Sequence, residues 1–294
     1  MLRPLGVGDV LDRTFTVYRS KPLLFIGLSA ILYLLLVLVF IVLAVVIFAG
    51  ALAAFARQSA TPSPELIAGA AVGIIGFVLI AIVIAILFVS AQAASLVYAA
   101  ARRYLAKEVT IGEAFRAGIS ASGRLFVAGI LVFLAIVSLW AVLFIVAAIT
   151  NQFLAFALAF IVAIVATFYL GSSWLVAPVV VVIEKMGPIA ALGRAWRLSD
   201  GNRWRIIGIQ VLLLILNVVL SVLIAGLFGG LAATGGQQGA QVGVTTVVQS
   251  VVNFASTIIW APVEWIAFTV LYYDLRVRKE AFDLHLAAEA LPQS

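Results

Sequence analysis

The feature that most constrains this chain is its long uncharged apolar runs. Residues 23–49, 66–101 and 125–149 contain no Asp, Glu, Lys or Arg. A bilayer core of about 30 Å is crossed by about 20 apolar residues in a helix. Inside lipid every backbone N–H and C=O must be paired within the chain, which leaves helices as the simplest way to thread such runs. The whole sequence agrees: 65% of it is hydrophobic and 10% charged, against about 45–50% and about 25% in a soluble domain. The expected fold class is an all-α integral membrane protein. It has about six transmembrane helices in three hairpins, each preceded by a cytoplasmic amphipathic surface helix.

In chain order, Val7, Leu11, Phe15 and Tyr18 recur at helical spacing in a polar segment, which predicts an amphipathic surface helix with Asp9 and Arg13 as an i,i+4 pair. Pro22 opens the first span, about 23–49. That is longer than a signal-peptide core of roughly 7–15 residues, so the span is expected to be retained. Span two runs from about Leu66 towards Arg102-Arg103, too long for the hydrocarbon core unless it tilts, kinks or projects beyond it. Thr110 and Glu113 form a capping-box pattern. Behind them Ile111, Phe115 and Ile119 make a second surface helix, expected to end at Ser122-Gly123-Arg124. Spans three (about 125–149) and four (about 153–183) form a tight hairpin around Thr150-Asn151-Gln152, with Pro178 bending span four. A third surface helix carries Ile189, Leu192 and Trp196 on one face, and Arg194 and Arg197 on another. The turn Ser199-Asp200-Gly201-Asn202 leads to span five, about 206–228, and a Gly-rich linker to span six, about 244–273. Beyond it the i,i+4 pairs Asp274/Arg278, Arg276/Glu280 and Lys279/Asp283 predict that the helix continues. The chain reads as one polytopic membrane domain, 1–294, with loose internal repeats at 1–106, 107–183 and 184–294.

Of 18 Lys and Arg, four lie in residues 1–22, five in 101–124, five in 184–205 and three in the tail, leaving only Arg57 elsewhere. The positive-inside rule then places both termini and all surface helices in the cytoplasm. The net charge of +6 is explained by these loops and by anionic lipid heads, so no nucleic-acid partner is expected. The chain has no Cys, and its one histidine, His285, lies in the tail. Disulfides, thiolate metal sites, HExxH zinc chemistry and a Ser–His protease are therefore excluded, as are a P-loop and a two-acid intramembrane protease. No cofactor or metal is expected, and no catalytic residues.

Two groups of residues carry the functional readings. The first is the basic cluster Arg194, Arg197, Arg203 and Arg205 with Trp196 and Trp204, expected to meet lipid headgroups or a partner protein of the membrane or cytoplasm. The plainer reading is an orientation signal, with aromatics near span ends as interface anchors. The second is Glu264, the one acid deep in a span, with Gln210, Asn217 and Gln92 as potential partners. It reads either as a solute or proton contact, or as a carboxyl hydrogen-bonded within the bundle. The wider polar set Gln92, Asn217, Ser221, Asn253, Ser256 and Thr257 reads as an interior seam, explained without a ligand by interhelical hydrogen bonds.

Three stretches carry a family resemblance: LGVGDVLDRTFTVYRSKPLLF, PVVVVIEKMGPIAALGRAWRLSDGNRWRIIGI and YYDLRVRKEAFDL. Together they resemble the membrane domain of bacterial glycerophosphoryl diester phosphodiesterases and its stand-alone relatives, over essentially the whole chain. Glu184, Gly187, Ala191, Trp196, Leu198, Gly201 and Trp204 carry the most specific part, and Ala195 departs from an expected Ser. The resemblance implies a membrane module for anchoring, lipid handling or partner assembly. It does not imply phosphodiesterase activity, because in the two-part enzymes a separate soluble barrel performs hydrolysis, and the sequence ending at Ser294 is expected to leave no room for one. The leading reading is thus a non-enzymatic module of a prokaryotic cytoplasmic membrane; the alternative is a permease for a small or lipid-like solute using Glu264.

Overall fold

A computed structural model of the protein describes residues 5–56, 64–150, 152–232 and 238–282. Among them are nine helices: α1 (Val7–Ser20), α2 (Pro22–Ala56), α3 (Pro64–Tyr104), α4 (Ile111–Thr150), α5 (Phe153–Trp174), α6 (Ala177–Ile183), α7 (Pro188–Ser199), α8 (Arg203–Ala232) and α9 (Gln238–Glu280). Among the described residues six segments are long and apolar enough to cross a membrane, with α5 and α6 together making the fourth. The protein is a multi-pass membrane protein. Of the loop expected from Arg57 to Pro64, only Pro64 is described, and it opens α3. The linker expected between residues 228 and 244 is shorter than expected, because α8 continues to Ala232 and α9 begins at Gln238. Residues 233–237, Asp283 of the Lys279/Asp283 pair and His285 lie outside the described residues.

Burial decides which helix is central. In the first five spans the most apolar window is only 6–17% buried inside the chain, whereas in Gln249–Glu280 it is 56%. The outward faces of the first five carry exposed Ile, Val, Leu and Phe, suited to lipid contact. The packed core sits at the basic end of the bundle. There α1, the start of α2, the last turns of α3, the first turns of α4 and α8, α6, α7 and residues 266–275 of α9 enclose one cluster of buried side chains. Span two's excess length is accounted for: α3 stays helical to Tyr104 and its last turns form a wall of that core.

The surface helices differ in detail from the expectation. On α1 the fully buried face is Val10, Thr14 and Val17, flanked by partly buried Val7, Leu11 and Tyr18. Asp9 does not pair with Arg13 among the described residues. Its carboxylate accepts from the Gly6 N–H (2.8 Å), neutralising a free donor at the helix start. The second surface helix does not end at Ser122-Gly123-Arg124: α4 runs unbroken into span three. Its buried face is Ala114, Gly118, Ala121 and Leu125, while Ile111 and Ile119 point outward. The reason is close packing on α3. A Cβ on Gly118 would stand 2.6 Å from the Ala91 carbonyl and 1.9 Å from Ser95 Oγ, so only small residues admit this crossing. The Thr110/Glu113 capping box forms as expected, with bonds of 3.0 and 3.3 Å.

Span four is broken outright at Leu175-Val176. Pro178 lacks the N–H that would continue the ladder. The hydroxyls of Ser172 and Ser173 bond back to the Tyr169 carbonyl (2.8 and 2.9 Å). The Ser173 carbonyl accepts from Ser199 Oγ of α7 (3.2 Å), which fixes the third surface helix against the break. Pro262, by contrast, sits within a continuous α9. The turn after α7 forms as expected, with Gly201 at φ +74°, where a side chain is disfavoured.

Candidate functional site

Two ion clusters organise the basic end. In the first, Asp274 of α9 is 1% exposed. Its carboxylate accepts from the Leu5 N–H (2.7 Å), Arg205 Nη1, and Arg278 Nε (3.0 and 3.2 Å). Both guanidiniums also donate to the Leu5 carbonyl. One acid thus ties the start of the chain to α8 and α9. The second cluster is a closed ring. Glu184 at the end of α6 accepts from Arg194 Nε (3.2 Å) and from the Tyr272 hydroxyl (2.7 Å). Arg194 also pairs with Glu280, which accepts from Arg276 Nε (3.0 Å), and Arg276 Nη1 donates to the Tyr272 oxygen (3.4 Å). Hydrogen bonds from Arg194 to Glu280 and then Glu184 outweigh burial and push its pKa further up.

The basic cluster read from the sequence therefore divides. Arg194 and Arg205 are committed inside these networks. Arg203 lies over the rings of Trp196 (4.5 Å) and Tyr169 (4.7 Å), donates to the Tyr169 hydroxyl and pairs with Asp200 (3.4 Å). Trp196 also packs on Trp174 and Tyr169. Only Arg197 and Trp204 of the six remain exposed.

The intramembrane set divides too. Gln92 lines neither cavity that Glu264 lines; it donates to Ser29 Oγ (2.8 Å) in the packed α2–α3 contact. Glu264, Gln210 and Asn217 do converge. With Leu175, Leu213, Leu214, Trp260 and Phe268 they line a crevice of about 440 Å³ between α8 and α9. A second hollow of about 280 Å³ shares Asn217, Trp260 and Glu264 and adds Ser221, Asn253, Ser256 and Thr257. Of the interhelical hydrogen bonds expected of this seam, the one from Gln92 to Ser29 forms, and none joins Asn217, Ser221, Asn253, Ser256 or Thr257 to another helix among the described residues. Thr257 and Gln249 each bond within their own helix, to the Asn253 carbonyl (2.8 Å) and Asn253 Oδ1 (3.3 Å). Glu264 has no partner among the described residues, and Ser256 Oγ is buried with none. Leu175 and Phe268 also wall a mainly apolar cavity of about 470 Å³ at the α5–α6 break, reached by Trp174, Pro178 and Trp265.

The inner networks of Asp274, Glu184, Glu280 and Tyr272 were legible only in their i,i+4 parts, Asp274/Arg278 and Arg276/Glu280, both of which form. A further signal was available. In so apolar a chain, an acid at the end of an apolar run on the basic side needs a cation, and Glu184 and Asp274 both stand there.

Residues 143–290, half of the chain, match the family model described as the membrane domain of glycerophosphoryl diester phosphodiesterase. The chain belongs to that family. No curated protein and no solved structure matches it. The match is narrower than the whole-chain resemblance expected: it contains the second and third motifs and leaves out the first. Within this phosphodiesterase membrane domain the motif residues serve the fold. Glu184 closes the ion ring, Ala191 and Leu198 are buried, Gly201 makes the turn and Trp196 receives Arg203. Ala195 is fully buried.

Proposed function

We propose that the protein is a non-enzymatic module of a prokaryotic cytoplasmic membrane, with its termini and surface helices in the cytoplasm, where a basic collar holds anionic lipid headgroups. The placement of nearly all Lys and Arg at one end supports the orientation. The observation that carries the reading is how charge is partitioned at that end. The inner acids are spent on Arg194, Arg205, Arg276 and Arg278. Arg13, Lys107, Arg116, Lys185, Arg197 and Lys279 are exposed and have no carboxylate partner among the described residues. Each such cation near an anionic surface contributes about 1 kcal/mol. Exposed Trp204 and Ile189 supply apolar anchors beside them. The test is native mass spectrometry of protein released from its own membrane. Wild type retains anionic lipid, and Arg116→Glu with Arg197→Glu loses it at an unchanged melting temperature. Equal retention by both, or none by wild type, refutes the reading.

A second reading is favoured by the convergence of Glu264, Gln210 and Asn217 on one crevice. On it the protein is a permease for a small or lipid-like solute. Glu264→Gln then abolishes uptake at normal expression and fold; unchanged uptake refutes it.

A further inference from the structure

The α8–α9 crevice combines four properties. It lies deep: Glu264 is ten residues before Asp274, about 15 Å of helix rise from the ion cluster. It holds a carboxyl group with no hydrogen-bond or ionic partner among the described residues, and no Lys or Arg lines it. The adjoining hollow, which shares Asn217, Trp260 and Glu264 with it, is rich in hydrogen-bonding atoms, and one of them, Ser256 Oγ, is buried without a partner on a residue only 7% exposed. Buried hydroxyls are nearly always hydrogen-bonded, so this one marks the hollow as a place where a water or a ligand would complete the bond. The crevice's remaining walls are Trp260, Phe268 and leucines, and two of these wall residues, Leu175 and Phe268, face the apolar cavity as well.

We propose that this crevice binds lipophilic organic monocations, with Glu264 as the counter-charge. A cation supplies what the carboxylate lacks, and at this depth a buried ion pair is far better than a lone charge. The Trp260 ring adds a cation–π contact. The amide oxygens of Gln210 and Asn217 turn their dipoles to the positive centre, and the apolar body of the ligand lies against Leu175 and Phe268. A bare inorganic ion fits less well: the crevice has a single carboxylate, and no group of three metal-ligating side chains occurs among the described residues. The inference deepens the permease reading by naming the class of solute. It rests on that reading only in taking the crevice as the occupied site.

The test is equilibrium binding of tetraphenylphosphonium to the full chain in nanodiscs of phosphatidylcholine alone, which removes attraction to anionic lipid. Triphenylphosphine oxide serves as the uncharged aromatic comparison. Wild type binds the cation saturably and the oxide far more weakly. Glu264→Gln, nearly isosteric, weakens the cation at least about thirtyfold at an unchanged melting temperature, and Trp260→Leu weakens it several-fold. No saturable binding, equal binding of the uncharged probe, or unchanged binding by a folded Glu264→Gln protein overturns the proposal. The comparison of the two probes on wild type stands even if a variant fails to fold. Binding without uptake in vesicles keeps the site and removes the permease. Uptake of an uncharged solute without cation binding does the reverse.

Discussion

Replacing Asp274 by Ala tests whether the basic end is held by ion pairs or by packing alone. The carboxylate is 1% exposed and takes donors from Leu5, Arg205 and Arg278. Its removal leaves two guanidiniums facing each other across the Leu5 carbonyl with no anion. Breaking a buried pair from one side costs about 3–5 kcal/mol. Here the arginine side chains are 18% and 31% exposed, so water partly relieves them and the lower end applies, about 3 kcal/mol. At roughly 2–4 °C per kcal/mol for a chain of this size, the melting temperature in detergent falls by about 6–12 °C. Arg205→Met, which removes one cation from the same cluster, should restore part of the loss in the double variant. A coupling of about 1–3 kcal/mol is expected. Hydrogen exchange at Leu5 rises in Asp274→Ala, because its N–H loses its acceptor. A fall of under about 2 °C, or strictly additive single and double variants, would refute the reasoning.

Three further outcomes follow from other contacts. Gly118→Ala forces a Cβ to 2.6 Å from the Ala91 carbonyl, and although Ser95 can rotate away, the backbone cannot, so stability falls by about 1–3 kcal/mol and Ser95→Ala rescues it only in part; full rescue would mean α3 and α4 shift freely. Tyr272→Phe deprives Glu184 of a donor and Arg276 of an acceptor and lowers the melting temperature by about 2–4 °C; no change would show that Arg194 alone satisfies Glu184. Glu108 is held below the ordinary glutamate range, first by its hydrogen bond from Lys21 and then by Arg103, so this clasp's stabilisation is present above that range and lost as pH falls through the depressed value. Lys21→Met should therefore flatten the acid limb of the melting temperature against pH, and an unaltered profile would count against the clasp.

The spans were legible because the signal for them is local: a run of uncharged apolar residues has one low-energy form in a bilayer. The Thr110/Glu113 cap, the Gly201 turn and the break near Pro178 were legible for the same reason, since each is decided within a few residues. The boundary expected at Ser122-Gly123-Arg124 was not a boundary. Glycine and serine read as punctuation in a water-soluble helix, but in α4 small residues are what let α3 approach. Partner choice was the least legible. Arg194 and Arg197 look alike in sequence, three residues apart, yet one is locked between two glutamates and the other faces outward. Gln92 and Gln210 are both lone amides in apolar runs, and which of them meets Glu264 depends on helix rotation, a property that no short window encodes.

Acids are scarce enough here that their placement can be followed one by one. Among the described side chains, Asp9 and Glu113 cap helix starts. Glu108 and Asp200 pair with cations at the surface. Glu184, Asp274 and Glu280 carry the two inner networks. Asp12 is exposed, where water serves it. Glu264 fits none of these classes: it is neither exposed nor paired, and it lies where an unmatched carboxyl is most costly. With no partner among the described residues, the carboxyl stabilises α9 less than an apolar side chain of similar volume would, because α9 is already the most buried span. Glu264→Met therefore separates the two meanings of that residue. A structural role predicts a lower melting temperature, since contacts made by the carboxyl are lost. A role in holding a ligand predicts an equal or higher melting temperature together with the loss of cation binding, the trade-off expected when a functional charge is kept against the interest of the fold.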